Sequence, residues 1–248
     1  MSAAPIWEAT PMSAASLEVQ DLHAGYGPTQ IISQMTFDVP AGGRLAVLGR
    51  NGVGKTTLLA TLMGLSTRHA GHIRIDGTDL TARRTSSRAL FGVGYVPQTR
   101  DIFRSLTVEE NLLTGLKGRP RSCVSEAYAM FPRLGERRRH LGLQLSGGEQ
   151  QMLSIARTLL GKPSILLLDE PLEGLAPVIC DELMVMITRL AASGEMTVIL
   201  VEQQIERALD FADRAIVIER GRQVWGGASA DLVNDHDLID RLLGVGIH

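Results

Sequence analysis

Hydrophobic and polar residues alternate in the first part of the chain, a pattern that predicts β-strands. The alternation covers residues 17–22 and 35–39, and a continuous apolar run occupies residues 45–48. A period of two is typical of a strand with one buried face, whereas a short apolar run is typical of a strand buried on both faces. Weaker strand patterns occur at residues 72–77 and 92–96. We therefore expect an antiparallel β patch near the N-terminus, followed by a buried strand.

Strands and helices alternate in the second half of the chain. The apolar spacing predicts, in order, helix 147–161, strand 164–169, helix 177–193, strand 197–201 and helix 204–210. A hairpin-like pair of strands comes next at residues 215–219 and 223–225. This order of elements predicts an α/β core.

Only helical patterns occur between about residues 99 and 145. A capped helix start stands at Thr107, and a second helix is predicted at residues 122–131. We therefore expect a small helical subdomain inserted into a single domain over residues 16–248. Its α/β core would comprise residues 16–98 and 146–248.

The first residues of the chain differ in composition from the rest. Residues 1–15 are rich in Ala, Ser and Pro and lack a cationic start followed by an apolar stretch. We expect a disordered extension rather than a signal peptide, and Met12 is a second possible start. No run approaches the roughly 20 apolar residues that span a bilayer. A membrane role would therefore be peripheral and would depend on a partner.

Length, charge and cysteine content narrow the class of protein. The 248 residues are enough for one large α/β domain with a subdomain. A formal net charge of -2 argues against nucleic-acid binding, which favours a basic face. The two cysteines, Cys123 and Cys180, lie far apart in sequence and predict neither a disulfide framework nor a metal site. A reducing, cytoplasmic setting is expected.

A glycine-rich sequence lies between the apolar run 45–48 and a helix predicted at residues 54–64. It matches G-x-x-x-x-G-K-T and consists of Gly49, Arg50, Asn51, Gly52, Val53, Gly54, Lys55, Thr56 and Thr57. Glycines let backbone N–H groups converge on an anion at a helix N-terminus. Lys55 would reach the β- and γ-phosphates of a nucleoside triphosphate, and the Thr56 hydroxyl would bind Mg²⁺. A chance match is expected in only about one chain in a hundred of this length.

Two acids end the buried strand predicted at residues 164–169. A strand that delivers an aspartate at its carboxyl end is the usual second half of such a phosphate site, so Asp169 would hold Mg²⁺. Glu170 would hydrogen-bond a water in line with the γ-phosphate and orient it for attack. The alternative is that both acids only end the strand and meet solvent.

A second glycine-containing helix start comes after the helical insertion. Ser146 is a good N-cap residue, with Glu149 three positions on, so an ordinary helix start is one interpretation. However, Gly147 and Gly148 weaken a helix and expose backbone N–H groups to an anion. A second phosphate-binding helix start cannot easily serve the same nucleotide in one compact chain. We therefore expect this segment to face a nucleotide held by another chain.

These motifs together resemble the ATP-binding-cassette ATPases. The sequence Ser146-Gly147-Gly148-Glu149-Gln150 is similar to the signature of that family, and the glycine-rich loop, Gln98 and Asp169-Glu170 occur in the family's order over about residues 17–245. The resemblance implies a head-to-tail dimer. Two ATP molecules would lie between the phosphate loop of one subunit and the signature of the other.

The resemblance also implies roles for two isolated residues. Tyr26 matches an aromatic residue that stacks on adenine, and the alternative is a tyrosine that only forms part of a turn. Gln98 matches a glutamine that contacts Mg²⁺ or water and couples to a transmembrane partner through the helical insertion. The alternative for Gln98 is a polar residue that only ends a strand.

The chain departs from the family pattern in two places. Gln203 stands where the family usually has a histidine that contacts the γ-phosphate. An amide can donate a hydrogen bond to phosphate but cannot become a cation, so hydrolysis would depend more on Glu170. Residues 172–177 occupy the place of the loop that crosses the dimer interface, but their small-residue and aspartate pattern is altered.

The resemblance leaves the transported solute open. Residues 107–112, 173–177 and 201–203 are similar to ATPase subunits of branched-chain amino acid importers, whereas residues 48–55 and 95–98 are similar to urea importer ATPases. The implied partners are a second ATPase subunit, transmembrane permeases and, indirectly, a periplasmic solute-binding protein. The implied location is the cytoplasmic face of the cell membrane. Soluble cassette proteins of DNA repair or translation, and a non-hydrolysing regulatory ATP binder, are the rival interpretations.

Overall fold

Two β-sheets lie at the centre of this computed structural model, which describes residues 13–244. The strands are β1 (Leu17–Tyr26), β2 (Thr29–Val39), β3 (Arg44–Leu48), β4 (Thr67–Ile75), β5 (Thr78–Asp79), β6 (Val93–Val96), β7 (Ile165–Asp169), β8 (Thr197–Val201), β9 (Arg214–Glu219) and β10 (Arg222–Ala228). The smaller sheet has the order β2-β1-β4-β5 and is antiparallel. The larger has the order β10-β9-β3-β8-β7-β6.

Strands β9, β3, β8, β7 and β6 of the larger sheet run parallel, and β10 closes one edge as an antiparallel hairpin partner of β9. The helices are α1 (Lys55–Met63), α2 (Thr85–Leu90), α3 (Val108–Thr114), α4 (Val124–Met130), α5 (Pro132–Glu136), α6 (Gly147–Leu160), α7 (Pro177–Ala192), α8 (Ile205–Phe211), α9 (Ser229–Val233) and α10 (His236–Leu243). Strand–helix alternation with an antiparallel patch and a helical insertion confirms the predicted fold class.

The two faces of the larger sheet carry separate hydrophobic cores. Along β7, Leu166 and Leu168 face the core formed with α6 and α7, whereas Ile165 and Leu167 face the core formed with α1 and the smaller sheet. Residues of one strand point alternately to opposite faces, so a strand between two cores must be apolar throughout. This explains the continuous apolar run that ends at Asp169.

The strands of the smaller sheet are longer than their sequence pattern predicts. The alternation stops at residue 22, yet β1 continues to Tyr26 and β2 begins at Thr29. Asp21 and Gln34 have positive φ angles of 43° and 55°, and the register of the β1–β2 pair shifts beside them. Such irregularities break the period of two without ending the strand.

The predicted N-terminal extension falls mostly outside the described residues, as does Met12. At its end, Ala15 is buried, and its carbonyl accepts a hydrogen bond of 2.7 Å from the Thr197 hydroxyl. The packed structure thus includes Ala15, one residue before the predicted boundary. Within residues 13–244, Cys123 and Cys180 are free thiols, and no helix is long and apolar enough to cross a membrane.

Candidate nucleotide site

The parallel strands bring the predicted motifs to one edge of the larger sheet. Strand β8 lies between β3 and β7, and all three end at the same edge. The phosphate loop, which we define as residues 49–57, comes after β3. Glu170 comes after β7, and Gln203 after β8. Ligands of open α/β sheets bind at the carboxyl ends of such strands.

The glycines of the phosphate loop occupy conformations that other residues avoid. Gly52 and Gly54 have φ angles of 77° and 110°, and a Cβ atom on Gly49 would lie 2.4 Å from the Ile218 carbonyl oxygen. The Lys55 ammonium donates to the carbonyl oxygens of Gly49 and Arg50 at 2.8 and 3.1 Å. The loop is therefore closed around the start of α1, where N–H groups without helical partners can bind an anion.

Asp169 lies fully buried at the end of β7, beside the first turn of α1. The Thr56 hydroxyl donates to one of its oxygens at 3.1 Å, and the Tyr95 hydroxyl donates to the other at 3.1 Å. Burial raises the pKa of Asp169, while these two hydrogen bonds act in the opposite direction. Burial and the neighbouring carboxylate also raise the pKa of Tyr95, whose hydroxyl is the donor in its bond to Asp169.

The oxygens of Thr56 and Asp169 fit a bound Mg²⁺. A hydroxyl and a carboxylate held next to each other are the ligands that this ion takes beside substrate phosphates. Within residues 13–244, no ion pair occupies the Asp169 carboxylate. The site therefore has a buried carboxylate that forms no ion pair with the described residues, next to a hydroxyl.

Three nitrogen donors surround the Glu170 carboxylate. Lys55 Nζ lies 3.5 Å from its Oε1 atom, while the amide nitrogens of Gln203 and Gln98 lie 2.5 and 3.2 Å from Oε2. Gln98 also donates to Glu173 Oε2 at 2.5 Å. The Glu170 side chain is only 7% exposed. The predicted catalytic residues therefore form one connected cluster, in which the Gln98 amide binds Glu170 and Glu173.

An open cavity of about 400 Å³ joins these groups. It is lined by Tyr26, Ile31, Asn51, Gly52, Gly54, Lys55, Thr56, Thr57, Gln98, Glu170, Glu173 and Gln203. Tyr26 is 51% exposed at its rim, so its ring is free to contact a ligand. Asp169 lies beneath the cavity, and the Arg50 guanidinium turns away from it toward the Leu243 carbonyl, 3.4 Å away.

The signature segment, residues 146–149, does not line this cavity. Ser146 caps α6 by accepting from the Glu149 N–H at 3.3 Å, and Glu149 accepts in return from the Ser146 N–H at 2.8 Å. A Cβ atom on Gly148 would lie 2.9 Å from the Ile179 side chain, so packing against α7 favours glycine there. The segment and the phosphate loop thus form separate surfaces of one chain.

Sequence reasoning missed two acids and one tyrosine near the cavity. Tyr95 stands in an otherwise apolar strand and binds Asp169, Glu173 accepts from Gln98, and Glu202 lies buried immediately after β8. The position of Glu202 directly after an apolar strand could have predicted a site residue, because the same pattern predicted Asp169. Nothing local indicated the partners of Tyr95 or Glu173.

Comparison with protein families identifies this arrangement. The family model described as ABC transporter matches residues 32–173, which include the phosphate loop, Gln98, the signature segment and Asp169-Glu170. The chain belongs to the ABC transporter family. It is therefore an ATP-binding ATPase subunit of a transporter, as the resemblance implied.

Relatives in this family cover nearly the whole chain. It is 40% identical to the high-affinity branched-chain amino acid transport ATP-binding protein BraG of Pseudomonas aeruginosa, over 88% of this chain and 95% of that one. It is 35% identical to the probable branched-chain amino acid transport ATP-binding protein LivF of Archaeoglobus fulgidus, over 91% and 97%. It is also 33% identical to the lipopolysaccharide export system ATP-binding protein LptB of Haemophilus influenzae, over 92% and 97%.

Solved structures of the family share the fold. An ATP-binding subunit of an ABC transporter superimposes with a TM-score of 0.78 at 27% identity, covering 91% of this chain and 97% of that one. A bacterial Atm1-family ABC exporter with ATP bound gives a TM-score of 0.79 at 29% identity, covering 91% of this chain and 41% of the exporter.

Proposed function

We propose that this protein is the ATP-hydrolysing subunit of an importer for branched-chain amino acids, with Glu170 as the residue that orients the attacking water. The observation that supports the catalytic assignment is the cluster in which Lys55, Gln98 and Gln203 all approach the buried Glu170 carboxylate. Support for the solute comes from the names of the BraG and LivF relatives, both of branched-chain amino acid transport.

Each group of the cavity has a role in this proposal. The N–H groups of the phosphate loop and the Lys55 ammonium bind the β- and γ-phosphates of ATP. Thr56 and Asp169, with Gln98 at the edge of the site, would hold Mg²⁺, and the ion would neutralise phosphate charge. Glu170 accepts a hydrogen bond from water and orients it toward the γ-phosphate. Gln203 donates to Glu170 and fixes its orientation, and Tyr26 stacks on the adenine ring.

The signature segment acts on a nucleotide of another subunit in this proposal. The N–H groups of Gly147 and Gly148 and the Ser146 hydroxyl lie outside the chain's own cavity, where they would close over ATP held by a second ATPase subunit. That subunit is a second copy of this chain or a related ATPase. Closure is passed through α3, α4 and α5 to a transmembrane permease at the cytoplasmic face of the membrane. A periplasmic solute-binding protein delivers the solute.

A urea or short-amide importer is the second candidate. Residues 48–55 and 95–98 are similar in sequence to that related group. The ATPase subunit does not contact the solute in either case, so the permease decides between them. The LptB relative, named for lipopolysaccharide export, shows how far the solute varies among proteins of similar sequence.

The Glu170→Gln variant tests the catalytic assignment. We expect phosphate release to fall at least about 100-fold while ATP still binds, because the amide keeps the shape of the side chain but accepts a proton poorly. Glu195→Gln, on an exposed loop before β8, is the matched control and should keep wild-type turnover. Comparable phosphate release from Glu170→Gln and wild type would overturn the assignment.

Reconstitution with its permease partners tests the solute. With the cognate solute-binding protein present, we expect leucine, isoleucine or valine to stimulate ATP turnover and urea to leave it unchanged. Stimulation by urea alone would replace the first candidate with the second.

A further inference from the structure

A buried carboxylate lies directly behind the ATPase cluster. Glu202 comes immediately after the last residue of β8 and is 3% exposed. Among residues 13–244, no ion pair includes Glu202. A buried charge without a counter-ion is costly unless several hydrogen bonds satisfy it. We therefore expect several hydrogen bonds to the Glu202 carboxylate.

Three backbone N–H groups satisfy this carboxylate. Its Oε1 atom accepts from the Leu172 N–H at 3.0 Å, and its Oε2 atom accepts from the N–H groups of Gln203 and Gln204 at 2.9 and 3.4 Å. Burial raises the pKa of Glu202, and these hydrogen bonds lower it. The two oxygens thus hold two different segments of the chain, one after β7 and one after β8.

These two segments carry groups that meet in the ATPase cluster. Leu172 lies two residues after Glu170, and the Gln203 amide donates to Glu170 Oε2 at 2.5 Å. Glu170 itself has a φ angle of 48°, in the left-handed region that a non-glycine residue occupies only when its surroundings hold it there. Its N–H group donates to the Val201 carbonyl at 2.9 Å. The conformation of Glu170 thus depends on contacts with the end of β8.

We propose that Glu202 is a positioning residue of the ATPase, which fixes the segments of Glu170 and Gln203 relative to each other. The inference rests on the proposed role of Glu170. A carboxylate suits this task because both of its oxygens accept hydrogen bonds. A glutamine has one oxygen, and its NH₂ group would face a backbone N–H. The Glu202→Gln change therefore releases one segment at nearly constant side-chain volume.

The test measures turnover and ATP affinity separately. We expect Glu202→Gln to lower kcat about tenfold or more, because misplacement of the water-orienting group reduces the rate steeply. The Kd for ATP should stay within about threefold of wild type, since the Glu202 carboxylate accepts its hydrogen bonds from Leu172, Gln203 and Gln204, which lie outside the phosphate loop. Glu206→Gln, exposed in the first turn of α8, is the matched control and should change neither quantity.

A double-variant comparison separates positioning from general stability. If Glu202 acts through Gln203 and Glu170, the Glu202→Gln/Gln203→Ala protein should be little slower than the slower single variant. The proposal would be overturned if the two substitutions lowered kcat by factors that multiply in the double variant. It would also be overturned if folded Glu202→Gln kept a kcat within twofold of wild type, or if its loss of kcat only matched its unfolded fraction. Should Glu202→Gln not fold, Glu202→Asp is expected to show the same loss of kcat at retained ATP affinity.

The result for Glu170→Gln distinguishes this inference from the proposed function. If Glu170→Gln is inactive and Glu202→Gln turns over normally, only the role of Glu202 is wrong. If Glu170→Gln itself keeps wild-type turnover, both proposals fail.

Discussion

Glu170 receives hydrogen bonds from two uncharged amides at the same oxygen, Oε2, while Lys55 lies beside the other oxygen. Where the resemblance led us to expect a histidine, Gln203 supplies a donor that keeps the same charge at every pH. The position therefore orients Glu170 without adding a titratable group. This contact extends the expected role of Gln203, because the amide binds the carboxylate as well as lining the cavity.

Replacing Gln203 by alanine should slow hydrolysis moderately. Loss of one hydrogen bond is worth about 1 kcal/mol, so we expect kcat to fall about fivefold, as measured by phosphate release at saturating ATP. Gln204→Ala is the matched control, since the Gln204 side chain is exposed and forms no hydrogen bond among those of residues 13–244. Wild-type turnover in Gln203→Ala would show that Gln203 has no role in hydrolysis.

At the scale of elements, helices α3 and α6 begin in the same way. Thr107 accepts from the Glu110 N–H at 3.2 Å, and Ser146 accepts from the Glu149 N–H at 3.3 Å; in both, the glutamate binds back to the N-cap N–H at 2.8 Å. The local chemistry of the two capping boxes is therefore equivalent. They differ in the first helical residues after the cap, because only α6 begins with two glycines.

The two caps give a matched pair of variants. Thr107→Ala and Ser146→Ala should each lower the free energy of unfolding by about 1 kcal/mol, measured by urea denaturation. Only Ser146→Ala should also weaken the ATP-driven association of the Glu170→Gln protein, measured by sedimentation. Equal association in both variants would reduce the signature segment to an ordinary helix start.

At the scale of the whole molecule, the two segments that we propose to bind a triphosphate form separate surfaces of one chain. The cavity contains the phosphate loop, and the signature segment lies outside it. In a twofold dimer the cavity of each subunit would face the signature segment of its partner, so both sites would form together. Binding of ATP at such a shared site stabilises the closed dimer only through its higher affinity for that state.

Mixing two inactive variants tests the shared site. Lys55→Ala disables the phosphate loop and Ser146→Ala disables the signature segment, so a mixed dimer retains one intact site. Random pairing should restore roughly a quarter of wild-type turnover. The control mixes Lys55→Ala with Lys55→Ala/Ser146→Ala, where no intact site forms and no recovery is expected. Absence of recovery in the first mixture would contradict a head-to-tail dimer of two copies of this chain.

The sequence alone predicted those features whose interacting residues lie within a few positions of one another along the chain. The phosphate loop is recognisable because its glycines, Lys55 and the helix start act over nine consecutive positions. The capping box at Ser146 and the apolar strand before Asp169 are equally local. By contrast, the ends of β1 and β2 were missed, because positive φ angles at Asp21 and Gln34 interrupt the pattern without ending the strands.

The tertiary structure alone decided which distant side chains meet. Tyr95 binds Asp169 because β6 and β7 are neighbours, and Gln203 binds Glu170 because β8 lies between β3 and β7. Glu202 joins the segments after β7 and β8 for the same reason. The apolar sequence of each strand predicts only that the strand is buried. The order and register of the strands in the sheet determine which residues lie next to those at its end. The sequence therefore revealed the phosphate-binding chemistry, and the sheet arranged the groups around Glu170.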